Sequence, residues 1–258
     1  MFEYIKVSQE NGVGTIILNR PEVFNALNDN ICYELQRAFK TLSDDQETRV
    51  VVLTGEGKGF CSGQDIKAIK DMKGTPSEAI YRKYNPIIKL MRSMPKPVIC
   101  KLNGIAAGAG CSLALACDII IASEDAGLVE AFVNIGLVMD SGSSFFLPRI
   151  VGSLKAFELA SMATKLSAAE ALQLGMLNKV VPAAQLDEEV LKLTSYYVTA
   201  PTKAIGLIKD LLNRSYNSSL DEMLTEEARR QDVAGGTDDF REGIAAFLEK
   251  RKPVFKGK

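Results

Sequence analysis

Two rhythms of apolar and polar positions divide the chain. In the first half, short apolar runs alternate with stretches of helical spacing. "VGTIILN" (13–19) reads as a strand closed by "RPE". "NICYELQRAFKTLSDD" (30–45) sets Ile31, Leu35, Phe39 and Leu42 on one helical face. "RVVVLTG" (49–55) is continuously apolar up to its glycine, which predicts a strand buried on both faces. A helix is predicted near Glu78–Met94, a strand in "KPVICKLNG" (96–104), a helix in "GAGCSLALACD" (108–118) and a strand in "DIIIAS" (118–123). Strands too rich in Val and Ile to be one-sided, separated by helices, predict an α/β fold.

After about Arg149 the rhythm becomes helical. "SAAE" (167–170) is a capping box, with a helix that stops at Gly175. Helices follow over 201–214, 219–233 and 238–251, the last with Phe240, Ile244, Phe247 and Leu248 along one side. This helical third carries more apolar surface than it can bury alone, so it is expected to pack on the core or on another subunit. No low-complexity linker separates the two parts. The expected organisation is a core over 1–198 and a helical oligomerisation region over 199–258.

Composition narrows the chemistry. A chain of 258 residues with 47% hydrophobic content can build a sizeable core. A formal net charge of -1 supplies no field for a polyanion, so no nucleic-acid partner is expected. No apolar run is long enough for a membrane span or a secretion leader. Cys32, Cys61, Cys100, Cys111 and Cys117 are scattered and odd in number, which fits a reducing cytoplasm better than a disulfide framework. Most restrictive is the absence of histidine. It removes Ser–His–Asp and Cys–His mechanisms and histidine metal sites, and leaves Lys, Tyr and carboxylates for acid–base work.

Three stretches carry candidate chemistry. "GEGKG" (55–59) lacks the spacing of a phosphate loop, and "GAGCSL" (108–113) lacks the third glycine of a dinucleotide fingerprint. "GAGCSL" and "FCSGQD" (60–65) are small-residue turns, where backbone N–H groups lie open to a ligand. Cys61, beside Phe60 and far from any cationic base in sequence, reads as buried filler. Asp140, in "NIGLVMDSGSSFF" (134–146), has two readings that local sequence leaves open. It is an acidic helix cap, or a carboxylate whose pKa is raised among Leu137, Val138, Met139, Phe145 and Phe146 into a useful base.

"FCSGQDI", "KPVICKLNGIAAGAGCSLALACDI", "GLVMDSGSSFFLPRIVG", "LSAAEALQLGMLNKVV" and "REGIAAFLEKRKPVFKGK" follow one another as in the enoyl-CoA hydratase/isomerase, or crotonase, superfamily. The chain resembles that family from about Tyr4 to its end, and within it most resembles the ring-epoxide isomerases of phenylacetate catabolism. The resemblance implies a spiral of ββα repeats, a helical C-terminal region that builds trimers or hexamers, and an acyl-CoA thioester substrate with no further cofactor. It implies that the N–H groups of Gln64 and Ala109 hold the thioester oxygen. Ala26, Ser62, Gly63, Asp65, Ile66, Lys67 and Gly108 surround the same substrate by motif position. Phe247 and Lys250 match positions that reach CoA from a neighbouring subunit. Ser112 and Phe132, which by motif position are also expected against the substrate, stand where hydratases of the family carry their two glutamates. Asp140 matches the single acid of the isomerases. The expected activity is therefore an acyl-CoA isomerase acting on a ring-epoxide or 3-enoyl group. A hydratase and a non-catalytic acyl-CoA-binding partner subunit are the alternatives. The related 4-chlorobenzoyl-CoA dehalogenases also carry an Asp there but use a His and a Trp, and this chain has neither.

Overall fold

The computed structural model describes residues 2–69 and 74–258. It opens with a hairpin of β1 (Ile5–Glu10) and β2 (Val13–Leu18), paired antiparallel. Its turn, Asn11-Gly12, has both residues at positive φ, the geometry that the twist of a two-residue hairpin favours. From β2 onward the sheet is parallel. β3 (Val50–Gly55), β5 (Val98–Leu102), β7 (Ile119–Ser123) and β10 (Lys179–Val181) complete the order β1-β2-β3-β5-β7-β10. A second sheet holds β4 (Gly59–Cys61), β6 (Ile105–Ala107), β8 (Gly127–Val129) and β9 (Leu166–Ser167). Successive units thus place one strand in the long sheet and the next in the short one before a helical turn. This is the ββα spiral expected.

β3 lies between two apolar layers. Val51 and Leu53 join Leu35 and Phe39 of α1 (Asp29–Asp44). Val50 and Val52 join Leu186 and Val190 on the far side. Burying each such side chain contributes about 1.5–3 kcal/mol, which explains a strand with no polar face. Asn28 caps α1 through Oδ1, which accepts the Ile31 N–H at 3.0 Å. All five cysteines are buried and unpaired.

The helix predicted near Glu78–Met94 is one stretch in three parts. After α2 (Ile66–Ile69) come α3 (Pro76–Ala79), a π-helical turn at Ile80–Tyr84 and α4 (Asn85–Ser93). Single π turns inside helices recur at functional sites, and this one ends on a residue of the site. α5 (Ala109–Leu115) is shorter than predicted. α6 (Ser143–Val151), α7 (Ser153–Met162) and α8 (Ala168–Gln173) follow, α8 with the predicted capping box at Ser167 and Glu170.

α9 (Leu186–Thr199), α10 (Thr202–Ser215), α11 (Leu220–Gly235) and α12 (Asp238–Leu248) form the C-terminal region. α10 is tied to the core by a buried cation. Lys209 Nζ donates to the carbonyls of Met91 at 2.7 Å and Lys96 at 3.1 Å, and pairs with Asp118 at 2.7 Å. α12 is different. Phe240, Ile244, Phe247 and Leu248 remain largely exposed. Among the described residues no helix is long and apolar enough to cross a membrane.

Candidate active site

Two backbone turns meet at the edge of the short sheet. In the first, Leu27 bridges Gln64: the Leu27 N–H donates to the Gly63 carbonyl at 2.7 Å, and the Asp65 N–H to the Leu27 carbonyl at 2.9 Å. This parallel pattern uses the groups on either side of Gln64 and turns the Gln64 N–H away from Leu27. In the second, Gly108 precedes α5 with φ 50, and the Ser112 N–H closes the first turn on the Gly108 carbonyl at 3.0 Å. Ala109 is the first residue of α5, so its N–H has no acceptor within the helix, and Gly108 has no side chain to cap it.

The turns touch at Gly63, whose φ is +87. A Cβ there would lie 2.6 Å from the Ala107 carbonyl oxygen and 3.3 Å from the Ala109 nitrogen. Only glycine fits, and the close approach puts the Gln64 and Ala109 turns side by side. Among the described residues neither N–H has a hydrogen-bond partner. Such a pair can hold an oxygen on which negative charge develops. Phe132, itself buried, walls the second turn, its ring 3.9 Å from where a Gly108 Cβ would stand.

A third turn, Asp140–Ser143, joins this region through Ser112 Oγ, which contacts the Gly108 carbonyl at 3.3 Å and the Asp140 carbonyl at 3.1 Å. Its two central residues, Ser141 and Gly142, are both left-handed, at φ 53 and 87. The Ser143 N–H donates to the Asp140 carbonyl at 3.1 Å. A buried serine at positive φ is a strained element of the kind that clusters at functional sites. The capping expectation for Asp140 is not met. The residue before α6 is Gly142, and no side chain caps that helix. The Asp140 carboxylate instead accepts from Ser141 Oγ at 2.8 Å. Burial raises its pKa, partly countered by that hydrogen bond.

Sequence reasoning missed Tyr84. It ends the π turn, and its hydroxyl hydrogen-bonds the Gln64 side-chain oxygen. Its pKa is raised by burial first, then by Cys32 and Asp140, so it remains a neutral donor. No motif marks it. Sequence reasoning also missed Glu130, Ser143 and Arg20. Arg20 holds the first turn from behind: both Nη atoms reach Asp65 Oδ2 at 3.0 Å, and Nη1 donates to the Ala26 carbonyl at 2.6 Å.

The other candidates separate into groups. Ala26 is buried, and Asp65 is engaged by Arg20 and by the Lys67 N–H at 3.1 Å, so both build the turn. Ser62 is exposed, with Oγ donating to the Val23 carbonyl at 3.1 Å. Ile66 and Lys67 are exposed on α2. Ser112 is fully buried, and its Oγ contacts the Gly108 carbonyl at 3.3 Å, the Asp140 carbonyl at 3.1 Å and Ser143 Oγ at 2.8 Å. It joins two turns of the site from behind and presents no surface to a ligand. Phe247 lies apart on α12, lining a pocket with Phe240, Ile244 and Phe255. Lys250 follows that helix at φ 55.

The chain matches known proteins over its whole length. The family described as Enoyl-CoA hydratase/isomerase matches residues 8–258. This chain belongs to that family. It is 41% identical to 1,2-epoxyphenylacetyl-CoA isomerase of Escherichia coli (strain K12), over 100% of both chains. It is 38% identical to a probable enoyl-CoA hydratase of Rhodobacter capsulatus, over 100% of this chain and 99% of that one. The crystal structure of enoyl-CoA hydratase from Bacillus anthracis superposes with a TM-score of 0.94 at 32% identity, covering 99% of this chain and 100% of that one. The crotonase fold and the ring-epoxide isomerase resemblance read from the motifs are therefore supported. Hydratases and isomerases both stand among the relatives, so the family alone leaves the reaction to the side chains of the site.

Proposed function

We propose that this member of the family is an acyl-CoA isomerase in which Asp140 moves a proton from the carbon beside the thioester. The supporting observation is the side-chain set around the two free N–H groups. Ser112 is buried behind the site and Phe132 is apolar, so neither can activate water for hydration. Asp140 is the carboxylate placed at the turn, with a pKa raised by burial. On a 3-enoyl thioester, Asp140 takes the proton from C2. The electron pair of that C–H bond passes to the thioester oxygen, where the Gln64 and Ala109 N–H groups stabilise it. The same proton returns to C4 as the double bond moves to C2–C3. A ring-epoxide substrate suits the same oxygen site, as the relationship to the Escherichia coli enzyme suggests. Turnover of 3-enoyl-CoA and epoxyphenylacetyl-CoA, with crotonyl-CoA hydration measured alongside, tests the reading. Hydration outpacing both isomerisations would overturn it.

CoA itself is expected along α2. Lys67, exposed just beyond the Gln64 turn, suits the CoA phosphates. Lys67→Glu should weaken CoA binding roughly three- to tenfold at low ionic strength, with the difference shrinking in salt. Calorimetric titration at two salt concentrations would show it. Unchanged affinity at low salt would remove Lys67 from the site.

Assembly is the last part of the proposal. Phe240, at 49%, and Phe247, at 83%, are too exposed for a finished surface. A trimer or hexamer would cover them and bring Phe247 and Lys250 to a neighbouring site. Sedimentation equilibrium at micromolar concentration should find such a species; a monomer would leave both residues without a role.

A further inference from the structure

Behind Asp140 lies a second carboxylate that the isomerisation does not use. Glu130 is only 3% exposed, at the end of β8. Its Oε1 accepts from Ser143 Oγ at 2.7 Å, and its Oε2 has no hydrogen-bond partner. The chain continues from Ser143 Oγ to Ser112 Oγ at 2.8 Å, and from there to the Asp140 main-chain carbonyl at 3.1 Å. The titratable groups facing Glu130 are the Cys111 thiol from α5 and Asp140 from its turn. α6 and α7 contribute apolar Leu147 and Leu159 beside it, and β9 contributes Leu166.

Counting protons along this chain gives two arrangements. At 2.8 Å one proton must lie between the two serine oxygens. If Glu130 is ionised, Ser143 donates to it, Ser112 donates to Ser143, and no proton is left for the Asp140 carbonyl. If Glu130 carries a proton on Oε1, every donor reverses: Glu130 gives to Ser143, Ser143 to Ser112, and Ser112 to the Asp140 carbonyl at 3.1 Å, the nearer of its two carbonyl neighbours, Gly108 being at 3.3 Å. A proton on Oε2 would be a buried donor with only the thiol, a weak acceptor, beside it.

We propose that Glu130 is a positioning residue for the Asp140 turn: whether it is protonated sets the direction of the Ser143–Ser112 chain, and so whether the Asp140 carbonyl receives the Ser112 hydrogen bond. The protonated arrangement holds the strained turn through two donors, Ser112 and the Ser143 N–H. The ionised one holds it through the Ser143 N–H alone. Burial raises the Glu130 pKa to about 7, with Ser143 and Cys111 opposing the shift and Asp140 adding to it. The exchange of donors then falls at neutral pH.

The kinetic part of the inference rests on Asp140 as the base, and the test separates the two. Asp140 is labelled with 13C at its main-chain carbonyl, and its resonance, assigned by its loss in Asp140→Asn, is followed against pH. The rate of α-proton exchange from a 3-enoyl-CoA is measured in parallel. In the wild type the carbonyl shift should titrate near pH 7, and kcat should fall roughly three- to tenfold above it, the effect of one hydrogen bond, with KM little changed. In Glu130→Gln the side chain no longer titrates, so the serine chain keeps one direction at every pH and the carbonyl titration and the alkaline fall in kcat should both disappear. Ser143→Ala cuts the chain at its middle and should also abolish the titration, which covers a failure of the Gln variant to fold. A wild-type carbonyl shift that does not titrate, or one that titrates equally in the variants, overturns the proposal. So does an alkaline limb in Glu130→Gln that matches the wild type. A fully active Asp140→Asn enzyme would sink the isomerase reading instead, and the carbonyl titration would still judge the chain.

Discussion

Asp140→Asn should lower the isomerisation rate by at least ~100-fold, the usual low end for losing an acid–base group, while thermal stability holds. Asn keeps the size of the side chain and an oxygen to accept the Ser141 hydroxyl, now at 2.8 Å. The Ser143 N–H bond to the main-chain carbonyl is untouched by the change. What Asn cannot do is take a proton. Burial disfavours the charged carboxylate, so removing that charge should leave the melting temperature level or slightly higher. Because the Asp140 pKa is raised, the base form is lost as pH falls. The wild-type rate should therefore rise with pH through a midpoint above the ordinary 3.8 of an aspartate. That acid limb should be missing from whatever residual rate the variant shows. An Asn variant with wild-type turnover would remove the reason for calling this enzyme an isomerase.

Gly63→Ala should cost turnover by ~10²-fold or more, the scale of losing one oxyanion donor, through geometry alone. The new methyl would stand 2.6 Å from the Ala107 carbonyl oxygen, closer than such atoms approach, and neither backbone can yield without parting the two turns. The Gln64 N–H would then no longer converge with that of Ala109. Gly175→Ala is the control, since that glycine also has positive φ, at +76, but nothing stands within 4 Å of its added Cβ. It should share the backbone strain of about 1–2 kcal/mol and leave kcat alone. Equal kcat losses in the two variants would mean that strain, not the meeting of the turns, governs the rate.

Much of the fold was legible because burial imposes periodicity. The continuous run at Val50–Gly55 suited a strand covered on both sides, and it is one. The spacing of Ile31, Leu35, Phe39 and Leu42 could only be one face of a helix, and all four are buried. β1 escaped because "IKVSQE" leaves mostly exposed side chains and so no apolar rhythm, although Asn11-Gly12 was a hairpin signal within reach. The short strands of the second sheet escaped because three residues cannot carry a period.

For the site, the sequence by itself determined its parts. Small-residue turns at Gly63 and Gly108, one acid among apolar neighbours at Asp140, and no histidine anywhere all follow from residue identity, as does the family they resemble. The relation of those parts was decided only in three dimensions. On local sequence Asp140 read first as a cap, since an acid just ahead of a helix looks the same whichever way its side chain points. The left-handed pair Ser141–Gly142 turns that choice away from the helix. Tyr84, at the end of a π turn, reaches Gln64 across twenty residues. Glu130 is hydrogen-bonded toward the Asp140 carbonyl through two serines drawn from α5 and α6. Local sequence sets backbone preferences over a few residues. Hydrogen bonds between residues 13 to 31 positions apart depend on where the sheets bring the chain back.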